Sequence, residues 1–339
     1  MVEKVRLGLI GTGRIGRMHA RNLKYRIPGA ELAAVSDIME EAARSVANEL
    51  AIPVVETDCR KLLERDDIDG VVICSPTDTH AEIVEEAAAE GKHIFCEKPI
   101  ALEIDRTEKA LAAVIEAGVK LQVGFNRRFD PSFNKAQQLI KSGKIGTPHL
   151  VRITSRDPGP PPIAYVKSSG GLFLDMMIHD FDMARFLLGD EVSELMAYGD
   201  CLVDPTIGEA GDIDTAIVVL KYRSGAMGAI DNSRKAVYGY DQRIEIHGSE
   251  GTIMVGNKTP TEVRLHTEDA ISGDVLLNFF IERYEDSFLA EMDEFIECIR
   301  NDKAPPVSGI DGLISLKMAH AALKSLKTRS FACVDSIQN

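Results

Sequence analysis

Short apolar runs alternate with helix-like stretches through the first third of the chain, and this alternation limits the fold more than any other feature. The runs show little period-two alternation, and a helical pattern follows each of them. Strands that are buried on both faces of a parallel sheet have this character. The predicted strands are Val5–Ile10, Leu32–Ser36, Gly70–Cys74, His93–Cys96 and Lys120–Val123, and the predicted helices include Arg14–Lys24, Glu40–Glu49, Ala81–Glu90 and Ile104–Ala117. The pattern predicts an α/β fold with a doubly wound parallel sheet, a Rossmann domain, over residues 1–125.

The pattern changes after about Phe125. Longer strands with hairpin-like breaks follow one another between Val192 and His266 without intervening helices. Runs of this kind favour a mostly antiparallel sheet. The other predicted elements are a helix at Arg127–Ile145, a strand at His149–Ser155, a Pro-rich loop at Asp157–Ile163, a helical run that follows Gly170-Gly171 and extends to Leu188, and closing helices at Tyr284–Arg300 and Gly309–Leu326. We therefore predict a second, α+β domain over residues 126–339, whose C-terminal helices could pack back on the Rossmann domain.

The composition narrows the classes of partner. The 339 residues carry a formal net charge of -14, which repels a phosphate backbone, so nucleic acid is not an expected partner. No stretch approaches the roughly 20 apolar residues of a membrane span, and the N-terminal apolar run is too short for a signal peptide. The six cysteines include no C-x-x-C pair. A reducing cytoplasm fits this usage.

A glycine-rich loop follows the first predicted strand. Gly11-Thr12-Gly13-Arg14-Ile15-Gly16 matches G-x-G-x-x-G and opens a helical pattern. In this motif the first glycine permits the tight turn, the second lets the backbone approach a pyrophosphate, and the third lets the helix pack on the strand. The helix N-terminus adds amide donors and a partial positive charge for the phosphates. The loop therefore predicts a dinucleotide site.

Asp37 ends the second predicted strand, roughly 20 residues beyond the glycine loop, where the ribose-binding acid of this motif is found. A carboxylate at this position accepts hydrogen bonds from the ribose hydroxyls and repels the extra phosphate of NADP. No arginine directly follows it, since Ile38 and Met39 are next. NAD is the predicted cofactor.

Two further groups of residues carry proton chemistry. Lys98, in Cys96-Glu-Lys-Pro99, follows a predicted strand at the edge where α/β sheets bind ligands. Asp175 and His179 are four residues apart, which places both on one face of a single helix. An Asp beside a His orients the ring and raises its basicity, as a general base for an alcohol proton requires. The spacing lacks H-E-x-x-H and a third ligand, so no metal site is predicted.

With these residues in place, the chain resembles the glucose–fructose oxidoreductase/inositol dehydrogenase family. The resemblance rests on the glycine loop, on Phe95-Cys-Glu-Lys-Pro99, on Gly124-Phe-Asn-Arg-Arg-Phe129 and on the Asp175…His179 segment, in this order through most of the chain. It implies NAD-dependent oxidation of a secondary alcohol of a cyclitol, with myo-inositol converted to its 2-keto form. It also implies that the second sheet forms a subunit interface, commonly in homotetramers.

The resemblance also implies roles for individual residues. Lys98 would hydrogen-bond the reacting oxygen, His179 would be the base, and Asp175 would bind a substrate hydroxyl and support the base. The implied cofactor contacts are Gly11, Thr12, Gly13, Arg14, Ile15, Gly16, Asp37, Ser75, His80, Glu97 and Lys98. The implied substrate contacts are Lys98, Asn126, Arg127, Asp157, Asp175, His179 and Tyr240; for Tyr240 an ordinary packing role is slightly favoured.

Two alternatives remain open at this stage. One is an NAD(P)-dependent dehydrogenase for another polyol or sugar, such as scyllo-inositol, a hexose or a sugar acid. The other is an NAD-binding regulator without catalytic activity. A regulator has no need for Lys98, Asp175 and His179 together, and all three are present.

Overall fold

The computed structural model describes residues 4–337, which divide into two compact units. The first unit comprises the residues up to Phe129 together with Asp286–Leu316, and the second comprises Asp130–Glu285 and Lys317–Ile337. The sequence prediction assigned everything after residue 125 to the second domain. The contacts instead group the helix that follows Glu285 with the Rossmann unit.

Strands and helices are numbered along the chain. The strands are β1 (Val5–Ile10), β2 (Ala30–Ser36), β3 (Val54–Glu56), β4 (Gly70–Ile73), β5 (His93–Cys96), β6 (Leu121–Val123), β7 (Pro148–Arg156), β8 (Val192–Asp200), β9 (Thr215–Tyr222), β10 (Met227–Ser233), β11 (Asp241–Gly248), β12 (Thr252–Val255), β13 (Arg264–His266), β14 (Ile271–Gly273) and β15 (Ala332–Cys333). The helices are α1 (Arg14–Tyr25), α2 (Glu40–Leu50), α3 (Cys59–Leu63), α4 (Thr77–Ala89), α5 (Ile104–Ala117), α6 (Pro131–Lys141), α7 (Ile163–Ser168), α8 (Gly171–Asp175), α9 (Ile178–Leu188), α10 (Pro205–Glu209), α11 (Phe280–Arg283), α12 (Glu285–Arg300) and α13 (Gly309–Thr328). Short 3-10 turns lie at Asn126–Phe129 and Val334–Ser336.

The first unit contains a parallel sheet of six strands in the order β3-β2-β1-β4-β5-β6. Its central strands β1 and β4 are buried along nearly their whole length, as expected for strands covered on both faces. The strand order reverses between β1 and β4. Dinucleotides bind at such a reversal, beyond the carboxyl ends of the strands. The predicted Rossmann fold is confirmed.

Helix α12 has a separate reason to belong to the first unit. Met292, Phe295 and Ile296 recur at helical spacing and are buried in the same core cluster as Leu23 of α1 and Phe95 of β5. These side chains bury apolar surface that would otherwise face water. The sequence places α12 late in the chain, but its apolar face completes the core of the first unit.

The second unit contains a sheet of seven strands in the order β12-β11-β7-β10-β9-β8-β15. All neighbouring pairs are antiparallel except β7 and β10, which run parallel. Burial alternates strictly along β9, so one face of the sheet is covered and the other is exposed. The predicted α+β second domain with a mostly antiparallel sheet is confirmed.

Two predicted helices of this region differ from the structure. The helix predicted at Arg127–Ile145 is a 3-10 turn at Asn126–Phe129 followed by α6, because Asp130 caps α6 through the N–H groups of Ser132 and Phe133, and Pro131 takes the first helical position. The helical run predicted after Gly170-Gly171 and up to Leu188 is interrupted between α8 and α9. The prediction that Asp175 and His179 lie on one continuous helix is therefore wrong.

Among residues 4–337, no helix combines the length and the apolar character that crossing a membrane requires.

Candidate active site

The glycine loop of the first unit has the geometry that a dinucleotide requires. Gly11 has φ +91°, and a Cβ on Gly16 would lie 1.9 Å from the Gly11 carbonyl oxygen, so both positions require glycine. Around Gly13, by contrast, a Cβ would meet no atom of the described residues within 4 Å beyond its chain neighbours. Gly13 is also the N-cap of α1, and in the described part of the chain no side chain caps it. The loop therefore leaves open space beside a helix N-terminus that no side chain caps in the described residues, where a pyrophosphate would bind.

Asp37 lies beside this loop, directly after β2. Its Oδ2 accepts hydrogen bonds from the backbone N–H of Thr12 (2.7 Å) and from the Thr12 hydroxyl (2.8 Å), and its Oδ1 accepts one from Met39 N–H. A carboxylate has about four acceptor positions, so capacity remains for ribose hydroxyls. Ile38 is 85% exposed and adds an apolar surface next to this carboxylate. The residues present fit the adenosine half of NAD.

Replacing Asp37 with asparagine is expected to weaken the preference for NAD over NADP by up to about 1000-fold. The substitution keeps an oxygen for Thr12 but removes a charge whose repulsion of the 2′-phosphate is about 4 kcal/mol at about 4 Å and an effective dielectric near 20. The ratio of kcat/KM for the two cofactors measures the effect. A ratio that stays within about threefold of the wild-type value would show that another residue sets the preference.

The carboxyl ends of β4 and β5 hold the next group of predicted site residues. His80 is buried on α4, and its ring nitrogens lie 2.8 Å from the carbonyl oxygens of Ser75 and Pro99. It thereby ties the loop after β4 to the segment that contains Lys98. The carboxylate of Glu97 lies 3.0 Å from His19 Nε2, inside the first unit. Lys98 is thus flanked on both sides by residues that are held in place.

Asn126 and Arg127 are both buried in the 3-10 turn that follows β6. Among residues 4–337 the Asn126 side-chain nitrogen has no hydrogen-bond partner. A buried donor without a partner is costly unless a ligand or water satisfies it. This amide is therefore available to a substrate oxygen.

In the second unit, a polar cluster surrounds Asp175 at the end of α8. Asp175 accepts hydrogen bonds from the Tyr165 hydroxyl at Oδ1 (2.9 Å) and from Arg234 at Oδ2 (3.0 Å). The Tyr165 ring is half exposed, but its hydroxyl end is enclosed. Burial of the hydroxyl is the main cause, and the Asp175 carboxylate the second, that raises the pKa of Tyr165 well above its usual value. The phenol therefore stays protonated and donates its hydrogen bond. Asp175 is thereby held as an oriented carboxylate.

Arg234 connects Asp175 to Asp157. Asp157 directly follows β7 and Arg234 directly follows β10, and because these strands are parallel neighbours their ends lie side by side. Arg234 Nη1 lies 3.3 Å from Asp157 Oδ2. Burial opposes the charge of Arg234, but the carboxylates of Asp175 and Asp157 outweigh it, and the pKa of Arg234 is raised. The guanidinium is a fixed cation between two carboxylates.

Asp212 is a third carboxylate of this cluster. Its Oδ1 accepts the Leu172 N–H at the start of α8 (3.1 Å), and burial raises its pKa. A Cβ on Gly171, where φ is +80°, would lie 2.5 Å from the same oxygen, so the Gly170-Gly171 pair allows this approach. Asp212 Oδ2 is buried and has no hydrogen-bond partner within the described range 4–337.

His179 lies in the first turn of α9, four residues after Asp175 and partly buried. The same helix is fixed by Asp180, whose Oδ2 accepts a hydrogen bond from Asn232 of β10 at 2.9 Å inside the core. Asn232 is two residues before Arg234. The strand that supplies Arg234 to Asp175 therefore also anchors the helix that carries His179.

Tyr240, predicted as a weak substrate contact, is 6% exposed, and its ring packs edge-to-face on Tyr284 at 6.0 Å. This environment favours its packing role. Conversely, sequence reasoning missed Tyr165, Asp212 and Arg234. Only the Gly170-Gly171 pair gave a signal, because consecutive glycines indicate a close approach by another group.

The chain was compared with known proteins. Residues 5–125 match the family description "Oxidoreductase family, NAD-binding Rossmann fold", and residues 137–334 match "Oxidoreductase family, C-terminal alpha/beta domain". The chain is 49% identical to a myo-inositol 2-dehydrogenase of Thermotoga maritima over 96% of this chain and 97% of that protein. It is 46% identical to an inositol 2-dehydrogenase of Rhizobium meliloti over 95% and 97%.

A solved structure of scyllo-inositol dehydrogenase from Lactobacillus casei, with bound NAD(H) and scyllo-inositol, superposes with a TM-score of 0.93. It is 32% identical and covers 98% of this chain and 100% of its own. The family match spans most of the chain, and the glycine loop has the geometry for the cofactor named in the family description. The chain therefore belongs to the glucose–fructose oxidoreductase/inositol dehydrogenase family and is an NAD-dependent dehydrogenase.

Proposed function

We propose that this dehydrogenase oxidises a secondary alcohol of a cyclitol, converting myo-inositol to its 2-keto form. One observation carries the proposal: the buried Asp175 carboxylate is oriented by Tyr165 and Arg234 directly before the helix that carries His179. A fixed carboxylate beside a guanidinium is suited to paired hydroxyls, because it accepts from one while the cation donates to another. The names of the relatives at 46–49% identity support the same substrate class.

The proposed roles follow from the chemistry of each group. Bound NAD supplies the hydride acceptor. His179 takes the hydroxyl proton as general base, and Asp175 binds a neighbouring hydroxyl of the substrate and supports the base. Lys98 hydrogen-bonds the reacting oxygen and stabilises the negative charge that develops on it. Asn126 and Arg127 are proposed as further substrate contacts, and Asp157 as a residue that acts through Arg234.

The charge of the Asp175 cluster favours a neutral substrate over a sugar acid. Asp157, Asp175 and Asp212 are three carboxylates against the single guanidinium of Arg234. A substrate carboxylate placed against this cluster, rather than beside Lys98 or Arg127, would add repulsion in a partly buried, low-dielectric environment. Among the alternatives, scyllo-inositol fits this argument as well as myo-inositol does, and a sugar acid fits it poorly.

The experiment is a substrate panel with the purified protein and NAD, followed by NADH absorbance. The panel contains myo-inositol, scyllo-inositol, glucose and glucuronate. We expect kcat/KM for a cyclitol to exceed that for glucuronate by at least about tenfold, since one unfavourable charge contact of about 1.4 kcal/mol has this effect. Oxidation of glucuronate in preference to both cyclitols, or of neither cyclitol, would contradict the proposal.

We further propose that the protein is a cytoplasmic homo-oligomer, a tetramer by family resemblance. The open face of the second sheet presents apolar side chains from four adjoining strands, which a second copy would cover: Tyr198, Ile217, Val219, Met227 and Leu150. All six cysteines carry free thiols, in keeping with a reducing compartment. The molar mass in solution tests the assembly, and a monomer would contradict it.

A further inference from the structure

Three titratable side chains meet inside the first unit, away from any contact assigned above to the substrate. His19 lies on α1, Glu97 follows β5, and Glu291 lies on α12. His19 and Glu291 are fully buried, and the Glu97 side chain is 15% exposed. One ligand atom from each lies within 4.8 Å of the others. The segment after β5, which contains Lys98, therefore meets helices α1 and α12 at one polar cluster.

Glu291 is the residue that needs an explanation. Both of its carboxylate oxygens are buried, and neither has a hydrogen-bond partner among residues 4–337. The titratable groups that face it are Glu97, His19 and the buried thiol of Cys74. Burial is the main cause, and the nearby Glu97 carboxylate the second, that raises the pKa of Glu291 well above its usual range. Two carboxylates in such a place cannot both ionise at low cost.

The surroundings of the cluster favour a hydrogen-bonded arrangement. The His19 ring packs edge-on against Phe95 (5.3 Å) and Phe288 (5.8 Å), so apolar walls enclose it. Its Nε2 lies 3.0 Å from Glu97 Oε1, while Nδ1 has no partner within the described residues. A neutral ring that donates through Nε2 leaves only an unpaired acceptor, which costs less than an unpaired charged donor.

We propose that Glu97 and Glu291 share a single proton, and that this carboxyl pair with His19 positions Lys98. In this arrangement Glu291 holds the proton, and the Glu97 carboxylate, within 4.8 Å of it and 3.0 Å from His19 Nε2, is its nearest acceptor. Glu97 directly precedes Lys98, and the carbonyl of Pro99 directly after it is held by His80 at 2.8 Å. The backbone of Lys98 is therefore fixed on both sides. Its positioning matters for catalysis only under the function proposed above, on which this half of the inference rests.

Gly124 gives independent support for a required position of the Glu97 carboxylate. A Cβ at Gly124 would lie 2.9 Å from Glu97 Oε2 and 3.1 Å from its Cδ. Only glycine leaves the carboxyl group where it is, although the backbone there has no unusual φ. The motif Gly124–Phe129, noted in the sequence, thus supports Glu97 as well as the site.

Infrared spectroscopy tests the shared proton directly, without using activity. At neutral pH the wild-type protein is expected to show the C=O stretch of a protonated carboxylic acid, which shifts in heavy water. Glu291→Gln is expected to abolish this band, and Glu294→Gln, at an exposed position of the same helix, is the matched control that retains it. Absence of the band from the wild type, or its persistence in Glu291→Gln, would overturn the proposal. So would a stoichiometric metal ion in protein purified without chelator that is lost in Glu291→Gln, since the three residues would then be ligands.

The positioning role is tested by comparing two substitutions of Glu291. Glu291→Leu removes the donor to Glu97 and is expected to lower kcat by up to about 100-fold, as a small misplacement of a catalytic group does, with KM for NAD little changed. Glu291→Gln still donates an amide hydrogen to Glu97 and is expected to recover most of that loss. Equal losses in the two variants would overturn the positioning role. If no cyclitol is oxidised even by the wild type, the proposed function fails while the infrared result still decides the shared proton.

Discussion

Replacing His179 with glutamine is expected to lower kcat for myo-inositol oxidation by about 10²–10⁴-fold, the usual contribution of a positioned general base. Glutamine keeps a polar side chain of similar reach in the first turn of α9, but it cannot accept the hydroxyl proton at neutral pH. The loss should appear in kcat and kcat/KM together, because the interaction is realised in the transition state. Steady-state kinetics with NAD and myo-inositol measure it.

The control for this substitution is His149→Gln, at an exposed position of β7. It is expected to leave kcat unchanged. The affinity of the His179→Gln protein for NADH, followed by fluorescence, is also expected to be unchanged, because His179 is proposed to act on the substrate hydroxyl and is not among the expected cofactor contacts. A His179→Gln protein that retains more than about a tenth of wild-type kcat would contradict the role of this residue.

Replacing Asp130 with asparagine is expected to lower the free energy of unfolding of the second unit by about 3–5 kcal/mol, the usual cost of removing one member of a buried ion pair. Asp130 and Arg283 are both fully buried, and their side chains are 2.6 Å apart. The Nε and Nη2 groups of Arg283 have no hydrogen-bond partner in the described chain, so Asp130 carries most of the compensation for this charge. The rings of Tyr284 (4.8 Å) and Phe133 (5.5 Å) supply the remainder as cation–π contacts. Urea unfolding measures the change.

Asparagine is chosen because it still caps α6 through the N–H groups of Ser132 and Phe133, so the cap is kept while the charge is lost. Combining Asp130→Asn with Arg283→Met is expected to restore a substantial part of the loss, because the uncompensated cation is then gone. If Asp130→Asn alone lowers the free energy of unfolding by less than about 1 kcal/mol, Asp130 is not the main group that stabilises the buried charge of Arg283, and the prediction is contradicted.

The elements that the sequence predicted well are those with strong local patterns. Strands β1 and β5 have the bounds that their apolar patterns predicted, since strands buried on both faces of a parallel sheet leave a short continuous apolar run. Strand β3 and helix α3 were missed because they are short, and β3 is only half buried. The start of α6 was misplaced although Asp130-Pro131 is a readable N-terminal signal.

The site was harder to predict than the fold, for a physical reason. The glycine loop and Asp37 belong to one local βαβ unit, so their spacing alone predicts a ligand. Tyr165, Asp175 and Arg234 come from a helix, a second helix and a strand end, and only the parallel pairing of β7 with β10 brings Arg234 beside Asp157. A parallel pair inside a mostly antiparallel sheet leaves no periodic signal. The break between α8 and α9 also lacks a proline or glycine that would have predicted it from the sequence.

Under the proposed function, Lys98 and His179 are expected to act on the same reacting oxygen, although they belong to different units of the chain. A double-mutant cycle with Lys98→Met and His179→Gln tests it most directly, with kcat for myo-inositol as the readout. Groups that act in one step are strongly non-additive, so we expect the double variant to be no more than about threefold slower than the slower single variant. A double variant whose loss equals the product of the two single losses would contradict the claim.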